Sequence, residues 1–485
     1  MSSIGPSTSV FPLTRAQAGV WFAQQLDPDN PIFNTAECIE LRGDVSIPAL
    51  VGAVRDAVGE AEVLTAAVEV ASDGSAYLRP GAHSFDAVPV HDLRNHDDPE
   101  AAARDLMEAC HRTVVDPRAE SCVRAAVLQL DDRIVLLYLG IHHLVIDAYG
   151  FGLLMRRIAE IYTADVRGEE RPACKFTSLA PVVAEEAAYR ESPRFEADRV
   201  FWTDYLDDAS EAVTLAGGGA GIARASRGMR LTLSAEQQRG LSAVGSAARA
   251  SWGDVLTAAV AIYLRGASGR GDIVLGFPVM NRLGSAALAV PMSAVNVVPL
   301  RLEPAPSTTV VDLVGQVRDA VARCRDHYRY RGEDIQNDLR LPSGSRGVVG
   351  PSVNVKPFGD RLRFGDLYAA VHSIARGPFQ DLMVTARPLD HVGGLEVWVD
   401  VDAERYTADE LATHTGRLAH LLDSLAALED PGATALAGVP ILTSDERRTL
   451  LARAAGKALA VPTGLTLPDL LQAQVERDPD APAAS

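Results

Sequence analysis

The chain has 485 residues, enough for two or more domains with cores of their own. Apolar residues make up 47% and charged residues 23%, the balance of an ordinary globular protein. The formal charge of −18 argues against phosphate-backbone binding as the main task, no run of about eighteen apolar residues offers a membrane span, and Met1 to Val10 lacks the charged and apolar regions of a signal peptide.

Thr14 is placed to cap a helix running to about Leu26, and a loop follows at Asp27-Pro28-Asp29-Asn30-Pro31. Ala36 to Leu41 reads as a strand, Ile47 to Gly59 as a helix, and Ala66 to Val70 and Ala125 to Leu130 as further strands. Pro99 to Arg112 reads as a helix, with Pro99 suited to its first turn. The apolar run Ile134 to Leu139 reads as a buried strand, and Leu153 to Tyr162 has helical periodicity. Between them lies His142-His143-Leu144-Val145-Ile146-Asp147-Ala148, two histidines and an aspartate at a strand-to-helix turn. Adjacent side chains of an extended segment diverge, so one histidine can face a cleft and the other the scaffold. Asp147 can cap the following helix or hold a cation in place. Gly150, in the same turn, lets backbone approach a substrate or simply makes the turn.

Arg167 to Pro172 is charged and marks a lobe boundary. Glu185 to Leu206 is helical in pattern, interrupted at Pro193, and Ala216 to Ala225 is a flexible loop. Ser234 to Ala248, Trp252 to Arg265 and Val310 to Tyr328 read as helices; Asp272 to Val279, Val348 to Lys356 and Ala369 to Ser373 read as strands. In Leu395 to Asp402 apolar residues alternate with Glu396, Trp398 and Asp400, the pattern of a half-exposed strand. Asp409 to Leu428 is an amphipathic helix that can close the domain, and Pro431 to Pro462 reads as a linker around a short helix, Ser444 to Ala454. The mixed order of elements predicts an α/β (α+β) fold, sheets with helices packed on them. Cys38, Cys110, Cys122, Cys174 and Cys324 are odd in number and scattered, as expected of reduced thiols in a cytoplasmic protein, and no zinc spacing appears. No metal site is expected: adjacent histidines diverge and no further ligand cluster is evident.

Several stretches together resemble the condensation domains of nonribosomal peptide synthetases. Leu13-Thr14-Arg15-Ala16-Gln17-Ala18-Gly19-Val20-Trp21 is similar to the family's first core motif, and the histidine turn to its HHxxxDG signature. Phe201-Trp202, Gly276 to Arg282 and Asn296 to Arg301 resemble later motifs. His327-Tyr328-Arg329-Tyr330-Arg331-Gly332-Glu333-Asp334 resembles the form found in members that accept an aryl or acyl starter, and Gly350 to Val355 and Gly377 to Leu382 fit that subgroup. Leu465 to Pro482 resembles the opening of an adenylation domain.

The resemblance implies two lobes like chloramphenicol acetyltransferase, arranged as a V around a tunnel. The expected layout is a tail at 1–10, lobes at 11–170 and 171–430, a linker at 431–464 and an adenylation start at 465–485. It implies amide formation between a carrier-bound acyl or aryl thioester and a carrier-bound amino acid, with no directly bound cofactor and substrates delivered on phosphopantetheine arms. His143 would be a general base or hold the amine in line. His142 would be structural, and Asp147 would fix the turn through a salt bridge to Arg282. Asn354 matches a tunnel asparagine, and Ser373 is a weaker tunnel candidate. With so few residues before the first motif, the donor carrier is expected on a separate chain, and the acceptor carrier downstream in cis beyond the adenylation domain. Two departures stand out. Ala148 occupies the usual glycine position, and the second core motif appears as Ala61 to Val68 without its arginines. They keep open a slow or non-catalytic docking domain, beside acyl transfer to a free amine or alcohol and, disfavoured by position, epimerisation.

Overall fold

The computed structural model describes residues 10–216, 221–339, 349–357, 362–389, 393–455 and 464–480. It divides into two units, Met1–Ile441 and Leu442–Ser485. The second holds the helices Ser444–Ala454 and Leu467–Arg477, neither of which buries a residue.

The first unit is built on two six-stranded sheets. The first runs in the order β12 (Leu362–Phe364), β13 (Leu367–Ala375), β2 (Asn34–Arg42), β7 (Ile134–His142), β6 (Val123–Gln129), β5 (Val90–Asp92). The second runs β10 (Asn296–Leu302), β9 (Ile273–Val279), β11 (Ser352–Val355), β14 (Leu382–Pro388), β15 (Leu395–Asp402), β8 (Ser226–Leu233). A small third sheet joins β1 (Phe11–Pro12), β4 (Ala76–Arg79) and β3 (Ala67–Val70). Strands β12 and β13 come from the second half of the sequence yet complete the first sheet, where β13 pairs antiparallel with β2.

Each sheet buries an apolar face under helices. In the first, Ile39, Leu41, Leu137 and Leu139 meet Leu50, Val54 and Val58 of the Ile47–Glu60 helix and Leu154 and Ile158 of the Ala148–Arg167 helix. Its other face packs Ala36, Leu136 and Tyr138 against Ala103 and Met107 of the Pro99–Arg112 helix. Coverage on both faces explains why β7 reads as an unbroken apolar run. In the second sheet Val353, Val384 and Val399 pack under the helices Ala235–Ala247, Trp252–Ser268, Val310–Arg325 and Ala408–Ala426.

Helix starts follow the sequence signals. Thr14 and Gln17 form a reciprocal capping box at the Arg15–Leu26 helix. Asp98 caps the Pro99–Arg112 helix through the N–H of Ala101. The helix after the histidine turn ends at Gly168, whose φ of 65° suits a left-handed C-terminal cap.

Four expectations are corrected. Strand β15 is buried on both faces, because β14 and β8 flank it and its polar side chains are held in ion pairs: Arg376 to Asp400 at 2.5 Å and Arg387 to Glu396 at 2.8 Å. The expected helix to Tyr328 stops at Arg325, and the expected strand from Val348 begins at Ser352; Val348 itself lies outside the described residues. Of the expected 216–225 loop, residues 217–220 also lie outside the described residues. The first part of the expected linker is folded onto the first unit: Ala435 bridges Thr309, and Leu436 and Val439 are buried. The arginine-poor stretch after the Ile47–Glu60 helix is tethered from elsewhere. Arg157 donates to Glu60, at 2.5 and 2.7 Å, and Leu179 N–H donates to Glu62 at 2.7 Å.

Candidate active site

The histidine turn sits where β7 leaves the first sheet. His142 is the last residue of β7, and Asp147 caps the helix that follows. The two histidines diverge as extended backbone requires. His142 is buried; its Nδ1 accepts from Leu144 N–H at 3.1 Å, which leaves the ring proton on Nε2 to donate to Gln24 Oε1 at 3.2 Å. Phe33 stacks on it at 6.2 Å. Burial pushes its pKa down to about 3, with the neighbouring His143 adding in the same direction.

His143 is half-buried. Its backbone N–H donates to Phe33 O at 2.7 Å, and its Nδ1 lies 3.5 Å from Ser293 Oγ. Burial lowers its pKa below the usual 6.5, and the charge of Lys356 acts the same way; carbonyls of His143 and Ile146 and the charge of Asp147 oppose the shift. A neutral ring at neutral pH is the result. Gly377 faces the ring, with a φ of +89°. A Cβ there would stand 2.7 Å from His143 Cδ2 and 3.3 Å from Nε2. Any side chain at 377 would therefore crowd the ring beside Nε2. Gly377 was quoted above only as part of a motif; the signal that it matters is a Gly-Pro pair directly after a strand.

Asp147 is buried and saturated. Its carboxylate accepts from Gly150 N–H (2.8 Å), Ala294 N–H (2.9 Å), Val295 N–H (3.0 Å) and Arg282 Nη2 (2.9 and 3.0 Å). Arg282, fully buried, also donates to the carbonyls of Ala287, Val290 and Met292. The pair thus ties the histidine turn to the 287–295 segment, and this segment brings Ser293 to His143. Gly150 serves the same junction: a Cβ would meet Ile146 Cγ1 at 2.8 Å and Met292 O at 3.0 Å. Close backbone packing, not substrate approach, requires glycine there. Ala148, the first residue of the helix, is exposed and is absent from the residues with positive φ. Its backbone does not call on a glycine's freedom. No described group accepts from the N–H of Ala148 or Tyr149.

The stretch His327 to Asp334 supports this junction from behind. Arg331 Nη1 donates to Val295 O at 2.8 Å, and Asn296 Nδ2 donates to the carbonyls of Tyr328 and Tyr330 at 2.9 and 2.8 Å. Asp334 pairs with Arg15 of the first motif at 2.7 Å. Trp202 is buried and donates to His327 O at 3.1 Å, which makes it a core aromatic. Asn354 lies half-buried on β11, in register with Thr385. Ser373 is on β13 and donates to Glu37 Oε1 at 3.1 Å, so its hydroxyl is engaged within the first sheet. Among the described residues no group of three or more His, Cys, Asp or Glu is placed to hold a metal ion, and no helix is long and apolar enough to cross a membrane.

The family model for the condensation domain matches residues 7–451. The chain is 35% identical over 426 residues to a dimodular nonribosomal peptide synthase of Bacillus subtilis, covering 87% of this chain and 18% of that protein. It is 31% identical to enterobactin synthase component F of Escherichia coli over 97% of this chain and 36% of that protein. The chain thus spans well under half the length of these relatives. Among solved structures it is similar to the first condensation domain of the calcium-dependent antibiotic synthetase, with a TM-score of 0.84 and 32% identity over 90% of this chain and all of that one. It is also similar to the starter condensation domain of rhizomide synthetase RzmA, in a complex with C8-CoA, with a TM-score of 0.83 and 29% identity over 90% of this chain and 98% of that one.

Proposed function

The chain belongs to the condensation domain family of nonribosomal peptide synthetases, acyltransferase-type enzymes that form an amide bond between carrier-bound substrates, and from that premise we propose that His143 is the group at which thioester and amine react. The observation that carries this reading is the half-buried His143, whose Nε2 edge would be crowded by any side chain at Gly377. The acceptor amine attacks the thioester carbonyl, its proton passes to or is held by Nε2, and the collapsing tetrahedral adduct expels the phosphopantetheine thiol. Holding the two reactants in line is worth up to ~7–11 kcal/mol in ideal cases, and acid–base help adds roughly 10²–10⁴-fold. The N–H groups of Ala148 and Tyr149 at the helix start are the donors for the oxyanion. Asp147 and Arg282 are positioning residues: every lone pair that could reach a substrate is already used inside the junction.

The donor is an acyl or aryl starter, as the motif at His327 to Asp334 suggests, and both partners are carrier domains bearing phosphopantetheine arms. In this reading the lobes are 11–170 and 171–430, the stretch 431–464 connects onward, and 465–485 opens an adenylation domain. The free cysteines suit a reducing, cytoplasmic setting.

The test is amide product read by mass spectrometry, with an acyl or aryl group on one carrier and an aminoacyl group on a second. Product is expected to drop by at least about 10²-fold in His143→Ala. Equal product in both proteins removes His143 from the chemistry; binding of both carriers without product points to a docking role instead. Because the neutral ring is the active form and its pKa is lowered, the rate holds through pH 7 and falls only on acidification below the usual 6.5.

A further inference from the structure

The wall of the second sheet that faces the histidine turn carries polar groups which amide formation does not use. Val353, Val384 and Val399 of β11, β14 and β15 point into the helix-covered core. Asn354, Thr385 and Trp398, in register across the same three strands, therefore occupy the opposite face. That face meets the turn: Met383 packs with Phe33, and Phe33 stacks on His142. Lys356 follows Asn354 two residues along β11's path and is anchored by its backbone N–H to Ala386 O at 2.8 Å. It is half-buried, and its charge is felt at His143.

The other cations on this wall are neutralised. Arg376 is paired to Asp400 and lies 4.0 Å from the Trp398 ring centre, and Arg387 is paired to Glu396. No described acid pairs with Lys356. Thr385, 4% exposed, has a buried hydroxyl with no hydrogen-bond partner. A buried hydroxyl left unmatched is costly, and the Lys356 ammonium has no counter-charge among the described residues. An acidic oxygen brought to this face of the sheet would answer both.

We propose that Lys356, Thr385 and Asn354 form a recognition subsite for an acidic oxygen carried by one of the two substrates. The oxygen is either the phenolic oxygen of a hydroxylated aryl donor or the side-chain carboxylate of an acidic aminoacyl acceptor. The subsite rests on the condensation reading and adds to it a preference between substrates. Lys356 supplies charge, Thr385 and Asn354 supply neutral donors, and the site rejects analogues that leave these groups unmatched.

The experiment compares kcat/KM for matched pairs on the intact chain. Carrier-bound 2-hydroxybenzoyl is set against benzoyl with a common acceptor, and carrier-bound aspartyl against asparaginyl with a common donor. The oxygen-bearing member of one pair is expected to be favoured by about 10- to 100-fold, the range of a charge-assisted hydrogen bond. Lys356→Met should bring that ratio near one, Lys356→Arg should keep part of it, and Thr385→Val should lower it several-fold. Should Lys356→Met fail to fold, Thr385→Val carries the same comparison. Two results overturn the subsite. One is a wild-type ratio near one in both pairs. The other is a Lys356→Met loss equal for both members of a pair, which marks a charge acting on His143 rather than on a ligand. Absence of amide from every pair is a different failure, that of the condensation reading itself.

Discussion

At the scale of single residues, the site is held by groups that act through space they leave empty or lone pairs they fill. Gly377 leaves space, and its φ of +89° is already in the region that side chains avoid. Gly377→Ala should therefore displace the His143 ring and cut kcat by about 10²-fold with a small change in KM, read from steady-state product formation. Asp147 fills its lone pairs. Asp147→Ala leaves buried Arg282 without its counter-charge and should cost about 3–5 kcal/mol of stability; Asp147→Ala with Arg282→Met should cost less than the two single losses combined. Urea unfolding of the three variants checks this. His142 makes stability depend on pH. Its pKa is near 3 folded against 6.5 in the free side chain, so the unfolded chain takes up the proton first. The contribution is fully present above 6.5 and is lost as pH falls through that window toward 3, by about 1.4 kcal/mol per pH unit. Urea midpoints between pH 7 and pH 4 should fall accordingly, with a shallower slope in His142→Gln.

At the scale of elements, β15 shows where alternation misleads. Its acids sit opposite arginines supplied from outside the strand, Arg376 and Arg387, and the Trp398 ring lies under Arg376. Such a face is polar in sequence yet dry in the fold. Asp400 is 1% exposed and bound at both oxygens by Arg376. Asp400→Ala should destabilise the second sheet by about 3–5 kcal/mol, more than any exposed ion pair of the surface, as thermal and urea unfolding would show. The same logic explains what could be read in advance. Helices with a proline in the first turn and a periodic stripe, such as Pro99–Arg112 and Ile47–Glu60, were legible to within a residue or so, as was the two-sided apolar run of β7. The strands β8 and β14 were not: Ser226–Leu233 has no apolar residue before Met229 and only Met229, Leu231 and Leu233 after it, and Leu382–Pro388 follows a motif rather than a turn signal. The strand-to-helix turn His142 to Asp147 and the pairing of Asp147 with Arg282 were legible. Gly377 and Ser293 were not, because their roles depend on segments some 150 to 230 residues away folding back onto His143.

At the scale of the molecule, the two sheets are not independent along the chain. Strands β12 and β13, from 362–375, close the edge of β2, and Arg282 reaches across to Asp147. Arg387 of β14 donates to Val371 O of β13 at 2.6 Å, a further tie between the sheets. A fragment ending near residue 170 keeps the histidine turn but loses all of these. Its β2 presents an unpaired edge, the part of Val371, Leu362 and Phe364 in the core is vacated, and Asp147 is buried without its cation. We expect residues 10–170 made alone to aggregate and to show no cooperative melt, whereas the intact chain loses both sheets in one transition. Supplying 171–441 in trans should recover soluble material only if β12 and β13 are included, since they carry the edge pairing. The readouts are far-ultraviolet melting and size-exclusion chromatography of the fragments singly and together. A cooperative melt of 10–170 alone would mean that the first sheet tolerates an open edge, and that the strand exchange between halves orients the site without being needed to fold it.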